Sequence, residues 1–135
     1  MMDLSRFTAW AGACLVASLL IAGCTGKGAD ERLRALLFKD RDVQLTEELV
    51  EARVAELVPV GTPEPVLAEK VAAIGVGKDP LSSYGVLRDR AGAVVRVEFD
   101  PSTFAVTKPM WIISFGLDNS GVVRSVKAKR YVAGP

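Results

Sequence analysis

The chain has 135 residues, 17 Lys and Arg against 16 Asp and Glu, a net charge of +1 and no histidine. That length fits one domain plus a targeting segment, and the near-neutral balance excludes a dedicated nucleic-acid binder with its usual basic excess. The absence of histidine removes the commonest general base and the commonest transition-metal ligand, so neither a cofactor nor a metal is expected.

Both cysteines, Cys14 and Cys24, fall near the start. Arg6 precedes an uncharged run over residues 7–26, whose apolar centre covers residues 9–22. A basic residue before an apolar stretch reads as a secretory signal, although Asp3 offsets Arg6. The run closes in Leu20-Ile21-Ala22-Gly23-Cys24, which resembles the lipobox of bacterial lipoproteins. The resemblance implies cleavage between Gly23 and Cys24 and a lipid on the Cys24 thiol. No thiol would then remain for a disulfide, a zinc site or catalysis. An uncleaved membrane anchor is the alternative; the run is long enough, but Gly12, Gly23 and Gly26 make it a poor one. In enterobacterial lipoproteins an Asp after the cysteine favours inner-membrane retention, so Thr25 leans toward the outer membrane, facing the periplasm. The expected division is a signal peptide over residues 1–23, a lipidated tether over 24–29 and a globular domain over 30–135.

Leu33, Leu36 and Leu37 recur at helical spacing, with Asp30 placed to cap that helix. Residues 39–42 form a charged break. Thr46 suits the N-cap of a second helix, and Glu47 and Glu48 suit its first turn through the helix dipole. Val50, Val54, Leu57 and Val58 fall on its apolar face, and Pro59 ends it. Val60-Gly61-Thr62-Pro63 reads as a turn into a third helix, with Thr62 as N-cap and Pro63 at the first helical position. Leu67, Val71 and Ile74 line one face of that helix, with Glu69 pointing away, and Gly75 and Gly77 suit its end.

The period then changes to two. A weak strand is expected over residues 83–88. Val95, Val97 and Phe99 alternate with polar neighbours, and Trp111, Ile113, Phe115 and Leu117 alternate with Ile112, Ser114 and Gly116. Asp118-Asn119-Ser120-Gly121 is hairpin-turn chemistry, followed by a last strand over residues 122–132. Helices first and an antiparallel meander second imply an α+β domain, with the helices on one face of a sheet of three to four strands.

Three stretches together resemble the SmpA/OmlA family of small lipoproteins with BamE-like domains. They are Val60-Gly61-Thr62 followed by Leu67, Trp111-Ile112-Ile113-Ser114-Phe115, and Asn119-Ser120-Gly121-Val122-Val123; the lipobox also fits. The resemblance covers residues 57–126. It implies two helices packed on a three-stranded antiparallel sheet, and an accessory part in the machinery that inserts β-barrels into the outer membrane. The chain departs from the pattern at Ile74-Gly75-Val76-Gly77-Lys78-Asp79-Pro80, which is longer than the family's usual helix exit, and in a longer N-terminal extension.

Candidate chemistry is thin. Ser82, Ser83 and Lys78 have no nucleophile-motif spacing and read as a loop. Asp40 and Asp42 lack the oxygen ligands of a calcium loop. Arg124, Lys127, Lys129 and Arg130 make the last strand basic. They suit contact with an acidic partner or anionic headgroups, or they guard an edge strand against pairing. Alternation places Arg124 and Arg130 with Val122, Val126 and Val132 on one face, and Lys127 and Lys129 with Val123 and Tyr131 on the other. Trp111 and Phe115 suit the core better than an exposed recognition patch. The function read from this is a non-enzymatic interaction or scaffold lipoprotein with an envelope protein partner. The alternative is a periplasmic ligand- or inhibitor-type binding lipoprotein on the same fold.

Overall fold

The computed structural model describes residues 28–39, 42–90, 92–102 and 108–133. The expected signal segment, the expected cleavage junction at Gly23-Cys24 and Asp40 lie outside them. Three helices come first: α1 (Ala29–Phe38), α2 (Glu47–Leu57) and α3 (Glu64–Ile74). Four strands follow: β1 (Ser82–Asp89), β2 (Gly92–Phe99), β3 (Lys108–Leu117) and β4 (Val123–Ala133). They form one antiparallel meander in the order β1-β2-β3-β4. The fold is therefore α+β, with one helix and one strand more than the family resemblance implied.

The period-two stretches bury one side each. Val95, Val97 and Phe99 of β2 pair across with Phe115, Ile113 and Trp111 of β3, and all six are buried. Leu33 and Leu37 of α1, Val50 and Val54 of α2, and Leu67 and Val71 of α3 close over that face. All three helices thus serve one side of the sheet. A void of about 20 Å³ remains between them, lined by Val71, Ile74, Ile113 and Phe115 among others.

The helix ends show why the chain stops where it does. The Thr46 hydroxyl accepts from the Leu49 N–H at 3.1 Å, as its N-cap chemistry requires. The freed carbonyls of Leu37 and Leu57 are taken by Arg53 Nε at 2.9 Å and Lys70 Nζ at 3.0 Å, which also tie each helix to the next. Gly75 ends α3 at φ 118°, a left-handed conformation that suits glycine. A Cβ there would also sit 2.8 Å from Leu36 Cδ2.

Three local expectations change. Asp30 does not cap α1; the cap is Gly28, and Asp30 lies in the first turn with its carboxylate engaged elsewhere. Ala29, expected to end the tether, begins α1 and is buried. Thr62 does not cap α3 either. The cap is Pro63, the first-turn proline is Pro65, and the buried Thr62 hydroxyl donates to the Pro59 carbonyl at 2.7 Å. The reason is tertiary. The turn before α3 pairs with the start of β4, through Gly61 N–H to Val123 O at 2.8 Å and Val123 N–H to Thr62 O at 2.9 Å, and this uses the backbone that a cap would need.

Candidate interaction surface

With the helices on one side, the other side of the sheet is bare among the described residues. Its rows follow from the register. Leu87, Val94, Gly116 and Ser125 form one; Gly85, Arg96, Ser114 and Lys127 the next; Ser83, Glu98, Ile112 and Lys129 a third. Met110 and Tyr131 pair beyond them. Leu87, Val94 and Tyr131 are exposed, and Arg96 pairs with Glu98 at 3.3 Å. Small residues in each row keep the face low, with Lys127 and Lys129 standing at its edge.

The four basic residues of the last strand do not form one surface. The register slips between Gly116 and Leu117, where Leu117 pairs with Val123 and Gly116 with Ser125, leaving Arg124 as the extra residue of a bulge. A Cβ on Gly116 would meet only the Ser125 hydroxyl, at 2.5 Å, which can rotate away. The bulge returns Val123 to the helix side, where it is fully buried. This corrects the face read from simple alternation, which grouped Val123 with Lys127 and Lys129. Arg124 pairs with Asp118 in the hairpin, and this holds the Asp118 carboxyl below its usual range. Arg130 faces the helices. Its guanidinium grips Asp30 with two bonds, Nε to Oδ1 at 3.0 Å and Nη2 to Oδ2 at 2.7 Å. Only Lys127 and Lys129 of the four remain together on the bare face.

Asp30 is the hub of a small polar network. Its Oδ1 also accepts the indole N–H of the fully buried Trp111 at 2.6 Å. The Arg130 bonds, helped by the indole, push the Asp30 carboxyl below its ordinary value against the opposing effect of burial. The same contact raises Arg130. Nearby, Glu47 Oε2 accepts the Arg130 backbone N–H at 2.8 Å. Arg32, one turn along α1's first half, binds Asp79 at 2.7 Å and the carbonyl of Asp100 at 2.6 Å. The start of α1 is thereby pinned to the end of the sheet where β3 begins and β4 finishes.

β4 is an edge strand, as its mixed pattern suggested, but its outer edge is partly closed. Glu47 takes the Arg130 N–H, and the 61–62 turn pairs with Val123. Residue charge and backbone capping therefore act together against uncontrolled strand addition.

The remaining candidates assemble no chemistry. Ser82 opens β1, and its hydroxyl donates to the Asp79 carbonyl at 2.9 Å; Ser83 sits on the opposite sheet face, and Lys78 is exposed in the preceding turn. Asp118 accepts from the Ser120 and Val122 N–H groups, which makes it a turn residue. Among the described residues no group of three His, Cys, Asp or Glu could hold a metal, and no helix is long and apolar enough to cross a membrane. An open pocket of about 250 Å³ lies between α3 and β1, with Val71, Ala72, Val76 and Tyr84 in its wall. Burial, and to a lesser degree the Glu64 carboxylate, raises the Tyr84 hydroxyl. Small-molecule sites usually run from roughly 300 to 1,000 Å³, so the pocket is small for one.

No family model matches the chain, and comparisons with curated proteins and with solved structures return no significant match.

Proposed function

We propose that the mature protein is a lipid-anchored lipoprotein of the bacterial cell envelope, attached through Cys24 and acting as a non-enzymatic interaction module. The observation that carries the module is the asymmetry of the sheet. One face is spent on three helices, while the other offers Leu87, Val94 and Lys127 to a partner. A mixed apolar and basic surface of this kind fits a protein with acidic patches. The lipobox supports the anchor, and Thr25 favours the outer membrane. An accessory role in β-barrel insertion is the finer form of this reading. It rests on the SmpA/OmlA resemblance, from which the additional helix and strand depart.

Intact mass of the membrane-extracted protein tests the anchor. The expected species starts at Cys24 and carries lipid, and Cys24→Ala abolishes lipid labelling. A native chain that keeps Met1, or that starts elsewhere, removes the proposal. The module is tested by crosslinking in intact envelopes. Lys127→Glu combined with Leu87→Asp is expected to lower the yield of a specific crosslinked partner without lowering the melting temperature, because both side chains are exposed. An unchanged crosslink pattern takes the bare face out of consideration. Tight capture of a small molecule, lost on filling the α3–β1 pocket through Ala72→Phe, would instead favour a ligand-binding lipoprotein.

A further inference from the structure

The anchor, if it is at Cys24, restricts how the domain sits. Four residue steps separate Cys24 from Gly28, and an extended chain spans at most about 14 Å over them. Gly28 caps α1. The next turn is fixed to the sheet by the Asp30 bonds to Arg130 and Trp111 and by the Arg32 bond to Asp79. A short leash thus ends on a rigid point rather than on a swinging helix. That point lies at the end of the sheet where Lys108 opens β3 and Val132 and Ala133 finish β4. The opposite end, with Arg90 in the β1–β2 turn and the Asp118 hairpin, is a full strand away, roughly 30 Å for a ten-residue strand.

The side chains at the near end suit a membrane surface. Tyr131 and Val132 are 52% and 53% exposed on consecutive positions, so they project to opposite sides of β4. Exposed Lys108 and Lys129 flank them. A tyrosine and an aliphatic residue between lysines match the headgroup layer, where amphipathic rings settle and ammonium groups meet lipid phosphates. Glu31, exposed in the first turn of α1, offsets part of that charge. Proximity imposed by the tether therefore supplies what the modest charge does not.

We infer that this end of the sheet, through Lys108, Lys129, Tyr131 and Val132, rests on the anionic headgroups of the membrane that holds the Cys24 lipid. The inference rests on the lipoprotein reading. It orients the domain so that the hairpin end points outward and the bare face stands across the membrane surface, open to a partner.

The test uses the mature lipidated protein in vesicles of phosphatidylethanolamine and phosphatidylglycerol. Tyr131→Cys and Arg90→Cys variants each carry a fluorophore on the introduced thiol, since the lipid blocks Cys24. Nitroxides on the lipid headgroups quench fluorophores only at short range. Quenching at position 131 is expected to exceed that at position 90 several-fold. Replacing phosphatidylglycerol with phosphatidylcholine, or adding Lys108→Glu and Lys129→Glu, is expected to reduce quenching at 131, each lysine being worth roughly a fivefold change in the docked population. Equal quenching at both positions on a protein whose mass shows the Cys24 lipid overturns the orientation and leaves the lipoprotein reading standing. Quenching at 131 that ignores both lipid charge and the two lysines overturns the anionic contact. A protein with no lipid on Cys24 overturns both readings.

Discussion

Phe115→Ala is expected to lower the unfolding free energy by about 3–5 kcal/mol, the usual range for emptying a buried aromatic site. Phe115 is buried at the middle of β3, between Val95 of β2 and Val126 of β4. Its ring lines the same void as Leu37 of α1, Val54 of α2 and Val71 of α3, so one side chain supports all three helices. The void of about 20 Å³ already present would merge with the volume of the lost ring. Neighbouring strands are held by ladder hydrogen bonds and cannot collapse far to refill it. A domain this size is stable by only about 5–15 kcal/mol, so the variant should unfold at much lower urea. Leu87→Ala is the matched control. Leu87 is 61% exposed on the bare face, and its truncation should cost no more than about 0.5 kcal/mol. Equilibrium urea unfolding of both variants decides it. A loss for Phe115→Ala as small as that for Leu87→Ala would place the core elsewhere.

The three helices and the two central strands were legible because each has an unbroken period. Leu33 and Leu37, Val50 and Val54, and Leu67 and Val71 repeat every four residues, and all six are buried. The run from Trp111 to Leu117 repeats every two, and its four odd members are buried. What could not be read locally is what depends on a partner far along the chain. Arg32 and Asp79 are 47 residues apart, and Asp30 and Arg130 are 100 apart. No spacing rule links them, so Asp30 looked like a cap and Arg130 like part of a basic patch. The bulge at Arg124 is a different kind of failure. Ser125 and Gly116 have the small size that a slipped register needs, but small residues are common in strands and do not announce a bulge. Reading alternation straight through it shifted Val123 to the wrong face. Lys127 and Lys129 kept their place together because both follow the bulge, and whatever moves one moves the other.

Asp30 provides the second large effect, and one whose parts can be separated. Asp30→Ala is expected to cost about 1–3 kcal/mol, because the Trp111 indole N–H is fully buried and would lose its acceptor. Asp30→Asn should cost less, about 1 kcal/mol or below. It keeps an oxygen for the indole and for Arg130 Nε, and loses the charge together with the acceptor for Arg130 Nη2, in a pair whose side chains are 35% and 30% exposed and so screened by water. The two losses should also respond differently to acid. The Arg130 guanidinium holds the folded Asp30 carboxyl below the ordinary 3.8, so ionised Asp30 favours the folded state. Its contribution is whole above about pH 5, and it fades as pH falls below 3.8 through the lowered folded value. The gap between the native protein and Asp30→Asn should therefore close in acid. The gap between Asp30→Asn and Asp30→Ala should persist, because an acceptor for a buried indole matters at any pH. Urea unfolding of the three proteins at pH 7 and near pH 3 reads both gaps. If the first gap is the same at both pH values, the Arg130 pair does not contribute through charge. If the second is absent at both, the indole finds another acceptor, and its bond to Asp30 is not what fixes α1 to the sheet.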